Sequence, residues 1–233
     1  MEYFYHSDGD KKNLKTLYDL LSMGLPVELD FVMTNDGVLV WTHDIMPTNF
    51  LNSKSNSIKE FITLEQVLRF NENYGNKLLL DIKYIPGKYL NSKGFENTLR
   101  QLNDYGKISI ESLDMRLINK LLNGDFPNIQ VGLIINVLSK GYVNPLGIPN
   151  LINLDFMAIS YELWERNNGA YIKKCNSLYP DIKKYGWKWG KNETPEKDAL
   201  EIFIKNGADG VVTNRHEMFL DLLSEQHPQR KRY

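Results

Sequence analysis

The stretch "VELDFVMTNDGVLVWTHD", residues 27–44, places carboxylates and a histidine in a run that otherwise has the composition of a buried strand. Residues 26–33 are rich in apolar residues, as expected for a strand, and "NDG" at 35–37 indicates a tight turn. The segment that follows predicts a hairpin arm or a strand extension. Side chains two apart on a strand share one face, so Glu28 and Asp30 belong to the same side.

The rest of the chain alternates between strand-like and helical segments. Seven further segments have the apolar, β-branched or aromatic composition of strands: 2–6, 77–84, 108–112, 129–137, 156–162, 182–190 and 209–214. Most are separated by helical patterns, such as a helix expected around 164–177. Eight strands alternating with helices in 233 residues favour an α/β fold of the (β/α)8 barrel type over a doubly wound open sheet. We expect one domain over residues 1–226 and a short basic tail over 227–233.

Composition narrows the class of protein and its partners. Hydrophobic residues make up 42% and charged residues 24% of the chain, which is typical of a globular protein with a sizeable core. The formal net charge of −1 provides no overall field for nucleic acid or an anionic membrane, and nucleic acid is not expected as a partner. No apolar run approaches the ~20 residues that span a bilayer, and no secretory signal pattern is visible. We therefore expect a cytoplasmic protein, unless a signal has been removed.

Cys175 is the single cysteine, which excludes an intramolecular disulfide. It lies in "YIKKCNSLY", whose helical spacing favours a packing role over that of a nucleophile.

Further polar residues lie at the C-terminal ends of the predicted strands. Asp81 and Lys83 share one face of the third barrel strand, and His6 ends the first. Ser112 ends the fourth strand, and the seventh contains Trp187. The C-terminal ends of barrel strands are where barrel enzymes place their chemistry, so these residues are candidates for a common site.

The chemistry of these side chains points to a metal and a phosphate. Three carboxylates, those of Glu28, Asp30 and Asp81, repel one another unless a positive charge lies between them. Ligands that offer only oxygen suit a hard divalent ion, Mg²⁺ or Ca²⁺. Lys83 would attract an anion, of which phosphate is common and also binds Mg²⁺. Two histidines, His6 and His43, are able to exchange protons near neutral pH.

Each of these motifs has a plainer interpretation when taken alone. An isolated Glu-x-Asp on a strand is more often a solvated face than a metal site. The His-Asp pair at 43–44 is also typical of turns, and "DIK" at 81–83 is compatible with a salt-bridged strand end. Their joint placement at successive strand ends is what favours a metal-assisted, phosphate-handling site.

Taken together, these motifs resemble the glycerophosphodiester phosphodiesterase family. In that pattern Glu-x-Asp is followed by a Thr-x-Asp-Gly turn and then by His-Asp, as in residues 28–44. "LLLDIKY" is similar to the family's acidic-x-Lys strand, with Asp81 where Glu is usual. "ISIESLD", "YGWKWG" and "NGADGVVTN" resemble its fourth, seventh and closing strands, with Asn214 in place of Asp.

The resemblance implies a TIM barrel, one divalent metal ion and a phosphoric diester hydrolase that acts on a small or lipid-derived diester. It assigns the metal ligands to Glu28, Asp30 and Asp81, and the acid/base pair to His6 and His43. It also implies that three residues contact the substrate: Lys83, Ser112 and Trp187.

The chain departs from the family at its first strand end. The usual His-Arg-Gly is "HSD" here, and a Pro-Glu-Asn-Thr segment is absent. Ser7 cannot supply the bidentate guanidinium that clamps a phosphate. The missing Arg and the Asp81-Ile-Lys83 triplet are similar to sphingomyelinase D-type phospholipases, which suggests a lyase releasing a cyclic phosphate as an alternative. A catalytically silent phosphate-binding barrel is a third hypothesis, and the sequence does not indicate the oligomeric state.

Overall fold

The computed structural model of the chain describes residues 1–6, 14–42, 61–136, 153–165, 169–188 and 196–226. Its strands are β1 (Glu2–His6), β2 (Val27–Met33), β3 (Leu39–Trp41), β4 (Leu78–Tyr84), β5 (Ile108–Ser112), β6 (Ile129–Ile135), β7 (Phe156–Ser160), β8 (Lys183–Trp187) and β9 (Gly210–Thr213). Its helices are α1 (Leu14–Ser22), α2 (Leu64–Asn71), α3 (Gly87–Leu90), α4 (Lys93–Tyr105), α5 (Met115–Asn123), α6 (Tyr161–Glu165), α7 (Ala170–Leu178), α8 (Glu196–Lys205) and α9 (His216–Gln226).

The fold class predicted from the sequence is confirmed. Eight of the strands in the described ranges run parallel and alternate with helices, which makes a (β/α)8 barrel. The remaining strand, β3, is the predicted hairpin arm and pairs antiparallel with β2. The described helices include none that is long and apolar enough to cross a membrane. The chain forms two compact units, and the predicted boundary at residues 226–227 stays a prediction because 227–233 lie outside the described residues.

The first unit, His6–Leu133, contains strands in the order β3-β2-β4-β5-β6. All seven residues of β2 are buried, as are the first five of β4. Strands of a parallel sheet have both faces covered, which explains the nearly continuous apolar runs in their sequences. The capping box of Thr63 and Gln66 is present at the start of α2, and Asp114 caps α5.

The second unit joins Met1–Tyr5 to Ile134–Tyr233, and its strands lie in the order β1-β9-β8-β7. Here the structure corrects one prediction. The helix expected over 164–177 is two helices, α6 and α7, and α6 begins at Tyr161 directly after β7. Gly169, the N-cap residue of α7, has a φ of 77°, a left-handed conformation that glycine adopts without steric cost.

A close approach between β8 and α8 depends on the absence of a side chain at Gly186. A Cβ atom there would lie 2.5 Å from Cγ of Phe203, whose ring is buried and cannot move aside. We expect Gly186→Ala to lower the free energy of unfolding by about 1–3 kcal/mol through overpacking, measured by denaturant titration. In Gly94→Ala, the matched control on α4, the nearest atom to the new Cβ is 4.0 Å away, so this variant should be neutral or slightly stabilising. Equal effects of the two substitutions would contradict this account.

Candidate active site

Strand β2 buries two carboxylates in an otherwise apolar run. Glu28 is 4% exposed and Asp30 is 2% exposed, and both lie on the same face of the strand. A buried carboxylate is costly unless it is paired with a cation or with hydrogen-bond donors. The surroundings of β2 must therefore supply positive charge.

The register of the neighbouring strands extends this acidic surface. Asp30 on β2 is aligned with Asp81 on β4, and Asp81 is aligned with Glu111 on β5. Side chains at one level of adjacent parallel strands lie on the same face, so the three carboxyl groups form a row. Asp81 is 4% exposed and Glu111 is 5% exposed, which makes this row as buried as Glu28.

Lys83 supplies one positive charge to this row. Its Nζ lies 2.7 Å from Oδ1 of Asp30 and also bonds to Oδ2 of Asp81. Burial alone would lower the pKa of Lys83, but the carboxylates of Asp81, Asp30 and Glu28 outweigh burial and hold it well above its usual value. The side chain is 36% exposed, so part of it reaches solvent.

His6, at the end of β1, is bonded to the same cluster. Its Nδ1 lies within hydrogen-bond distance of Oε2 of Glu28. When Nδ1 carries the proton it donates to this carboxylate, which fixes the orientation of the ring and assigns proton exchange to Nε2. A histidine oriented by a carboxylate is a common arrangement for a general acid or base.

Two carboxyl groups of the row, those of Asp81 and Glu111, have raised pKa values. Burial raises the pKa of Asp81 to about 7, and the charges of Asp30 and Glu28 add to this against the opposing effect of Lys83. Burial also raises the pKa of Glu111 well above its usual value, with further contributions from Asp81 and Glu28. Among the described residues, the cluster thus has four buried carboxyl groups for the one ammonium of Lys83.

The residues fit a divalent cation. Candidate ligand atoms of Glu28, Asp81 and Glu111 lie within 4.8 Å of one another, and so do those of His6, Glu28 and Asp30. Oδ1 of Asp81 and Oε2 of Glu111 are buried and have no hydrogen-bond partner among the described residues. Buried carboxylate oxygens of this kind are suitable ligands for Mg²⁺ or Ca²⁺.

Five of the residues predicted from the sequence come together in this cluster: His6, Glu28, Asp30, Asp81 and Lys83. His43 lies outside the described residues, so its role stays a prediction. Trp187 ends β8 in the other unit, where it is half-buried and its indole N–H donates to the carbonyl of Ala158 at 3.1 Å. Its predicted contact with substrate likewise stays a prediction.

Ser112 has bonds of its own at the end of β5. Its hydroxyl donates to the carbonyl of Ile82 at 2.5 Å and accepts from the N–H of Asp114 at 3.0 Å. Strand alternation assigns Ser112 to the face opposite Glu111, and the structure does not bring it into the acidic row. Its predicted contact with substrate would have to compete with these two bonds.

Glu111 is the residue that sequence reasoning missed. In "ISIES" the two isoleucines and Ser112 share one face of the strand, and Ser109 and Glu111 share the other. The period of two was therefore a usable signal that Glu111 lies on the face of β5 opposite the two isoleucines. The strand register, which sequence alone does not supply, brings Glu111 and Asp81 side by side.

Comparisons with known proteins agree with this fold. No family model matches the chain. A curated glycerophosphodiester phosphodiesterase of Caldanaerobacter subterraneus subsp. tengcongensis is 25% identical over 251 residues, covering 92% of this chain and 95% of that protein.

Several solved structures with the same fold are also named phosphodiesterases. A putative glycerophosphoryl diester phosphodiesterase of Agrobacterium tumefaciens superposes with a TM-score of 0.70 at 14% identity, covering 98% of this chain and 99% of the other. An Oleispira antarctica phosphodiesterase in complex with the product sn-glycerol-3-phosphate has a TM-score of 0.66 at 14% identity, covering 96% and 97%. The glycerophosphodiester phosphodiesterase of Thermotoga maritima has a TM-score of 0.58 at 16% identity, covering 94% of this chain and 97% of the other.

These relatives belong to one class, the phosphoric diester hydrolases built on a (β/α)8 barrel. Within that class the chain is similar to glycerophosphodiester phosphodiesterases over nearly its whole length, in sequence and in fold. The resemblance predicted from the sequence is therefore confirmed.

The raised pKa of Asp81 predicts a pH dependence of stability in the metal-free protein. The folded-state pKa, about 7, lies above the ordinary 3.8, so the folded state binds the extra proton between these values. The contribution of this group to stability is present at low pH and is lost as the pH rises towards 7. We expect the stability of the wild type in EDTA to fall relative to Asp81→Asn between about pH 5 and pH 8, measured by urea titration. A constant difference between the two proteins would contradict the assignment.

Proposed function

We propose that the chain is a metal-dependent phosphodiesterase that hydrolyses a glycerophosphodiester, or a closely related diester, to an alcohol and a phosphomonoester. The observation that supports this most directly is the bond between His6 and Glu28 beside a buried row of carboxylates that holds Lys83. One cluster thus combines a proton-exchanging group, ligands for a hard cation and a positive charge for an anion. The relatives described above point to the same reaction.

The carboxylates of Glu28, Asp30 and Asp81 would hold the divalent cation, Mg²⁺ or Ca²⁺. The cation would supply positive charge that polarises the phosphate and stabilises charge developing on it. The carboxylates themselves are fixed by β2 and β4, whose register leaves their backbone positions little freedom.

Two histidines move the protons. His6, held through Nδ1 by Glu28, exchanges a proton at Nε2, and His43 is the second partner predicted from the sequence. One takes the proton of the attacking hydroxyl, and the other returns a proton to the leaving alcohol. Breaking the ester bond without the second transfer would leave an unstable alkoxide, which is why two groups are needed.

Lys83 has two tasks in this proposal. Its ammonium balances Asp30 and Asp81 within the cluster, and its partial exposure allows it to contact an incoming phosphate. Ser7 stands where the family has an arginine, so Lys83 is the cation within the described cluster that would bind the phosphate. An ammonium binds as a point charge and imposes less geometry on the phosphate than a bidentate guanidinium does.

A second candidate reaction follows from Asp81, which is one methylene shorter than the glutamate usual in the family. The Asp-x-Lys triplet is similar to that of sphingomyelinase D-type enzymes. Attack by a hydroxyl within the substrate would then release the headgroup and leave a cyclic phosphate. The two reactions share residues and differ in their product.

The test is an assay of the purified chain against glycerophosphocholine, glycerophosphoglycerol and lysophospholipids, with EDTA, Mg²⁺ or Ca²⁺, and with products identified by phosphorus NMR. We expect metal-dependent turnover that His6→Ala and His43→Ala each lower by about 10²- to 10⁴-fold. His216→Ala is the matched control, since His216 contacts Tyr5 edge-on and should be dispensable for turnover.

A phosphomonoester product would support hydrolysis, and a cyclic phosphate would support the lyase. Turnover that persists in EDTA or in His6→Ala would overturn the proposed chemistry. Absence of turnover on the whole panel, with metal binding intact, would favour the silent phosphate-binding barrel.

A further inference from the structure

Glu111 lies in the acidic row, yet the ligand set implied by the family resemblance does not include it. Its Cα is aligned with that of Asp81 across the β4–β5 pair, and the residue is only 5% exposed. Neighbouring strands lie about 4.8 Å apart, so two acidic side chains at one level of one face are forced together. Such a pair is unfavourable unless a cation joins it or one carboxyl group is protonated.

The described residues do not neutralise Glu111. Lys83 pairs with Asp30 and Asp81, and no cationic side chain in the described ranges lies within ion-pair distance of Glu111. Its Oε2 is buried without a hydrogen-bond partner among these residues. The same holds for Oδ1 of Asp81, the oxygen opposite the one that Lys83 occupies. The two unsatisfied oxygens therefore belong to adjacent residues of one row.

Glu28 belongs to the same group of potential ligands as Asp81 and Glu111. Candidate ligand atoms of Glu28, Asp81 and Glu111 lie within 4.8 Å of one another. Four buried carboxylates, those of Glu28, Asp30, Asp81 and Glu111, face a single ammonium among the described residues, so a divalent cation removes most of the excess negative charge. A set this rich in carboxylates suits Ca²⁺, which takes 6–8 oxygen ligands, better than Mg²⁺, which is usually held by one or two carboxylates.

We propose that Glu111 is a ligand of the divalent cation and adds a fourth carboxylate to the set formed by Glu28, Asp30 and Asp81. Asp81 is short, and one of its carboxylate oxygens is bonded to Lys83. The longer side chain of Glu111 on the next strand supplies the further ligand oxygen that Asp81 lacks. This inference rests on the metal dependence of the proposed function, but it concerns binding of the ion and not turnover.

The test is the affinity of the full chain for Ca²⁺, measured by isothermal titration calorimetry in wild type, Glu111→Gln and Asp81→Asn. We expect Glu111→Gln to weaken Ca²⁺ binding by about 10- to 100-fold, comparable to Asp81→Asn. Glu96→Gln is the matched control: it removes a partly buried carboxylate of the same unit that pairs with Lys120 and Arg100, and should leave Ca²⁺ affinity unchanged.

A second measurement separates a ligand from a merely structural residue. Without metal, Glu111→Gln removes one of several like charges, so its unfolding temperature should equal or exceed that of the wild type. The increase in unfolding temperature caused by Ca²⁺ should be smaller than in the wild type. If Glu111 had only a structural role, its replacement would lower both the unfolding temperature without metal and the increase caused by Ca²⁺. If Glu111→Gln does not fold, Glu111→Asp keeps the charge but shortens the reach, and the proposal then requires weakened Ca²⁺ binding in that variant.

The outcomes separate this inference from the proposed function. Wild-type affinity in Glu111→Gln, or a wild type that does not bind Ca²⁺, overturns the inference. If that variant also retains metal-dependent diester cleavage, the proposed function stands without it. Loss of Ca²⁺ affinity in a chain that cleaves none of the diesters supports Glu111 as a ligand and argues against the proposed reaction.

Discussion

The excess of buried negative charge on β2, β4 and β5 is the constraint on which the site depends. Carboxylates removed from water require cations, and the one ammonium of Lys83 is shared between Asp30 and Asp81. The remaining charge is balanced either by protonation, seen in the raised pKa of Asp81, or by a divalent ion. The site therefore destabilises the fold when its excess negative charge is not balanced. Functional sites often lower stability in this way.

The backbone makes this arrangement possible. In-register pairing of three parallel strands holds Asp30, Asp81 and Glu111 at one level, and hydrogen bonds between strands prevent the row from spreading apart. Burial of apolar residues on both faces of these strands offsets the destabilising effect of the buried polar residues. Helices packed against the strands then need close contacts such as that between Gly186 and Phe203 in the second unit.

Local patterns were sufficient to predict the fold class and most of the cluster. The alternation of strands with helices identified the barrel, and the period of two placed Glu28 with Asp30 and Asp81 with Lys83. Sequence patterns were insufficient to predict the helix bounds where a helix directly follows a strand, as α6 follows β7. The helix expected over 164–177 corresponds to two helices, of which α6 starts directly after β7 at Tyr161 and α7 begins after Gly169, whose left-handed backbone periodicity does not describe.

The sequence by itself determined which residue types stand at the strand ends, since the strand period and the turn signals are local properties of the chain. Only the tertiary structure decided which of these residues meet. It aligned Glu111 with Asp81, joined His6 to Glu28 across 22 positions of sequence, and bonded the hydroxyl of Ser112 to the carbonyl of Ile82. The physical reason is that strand register arises from the packing of whole strands and their helices, which no single segment encodes.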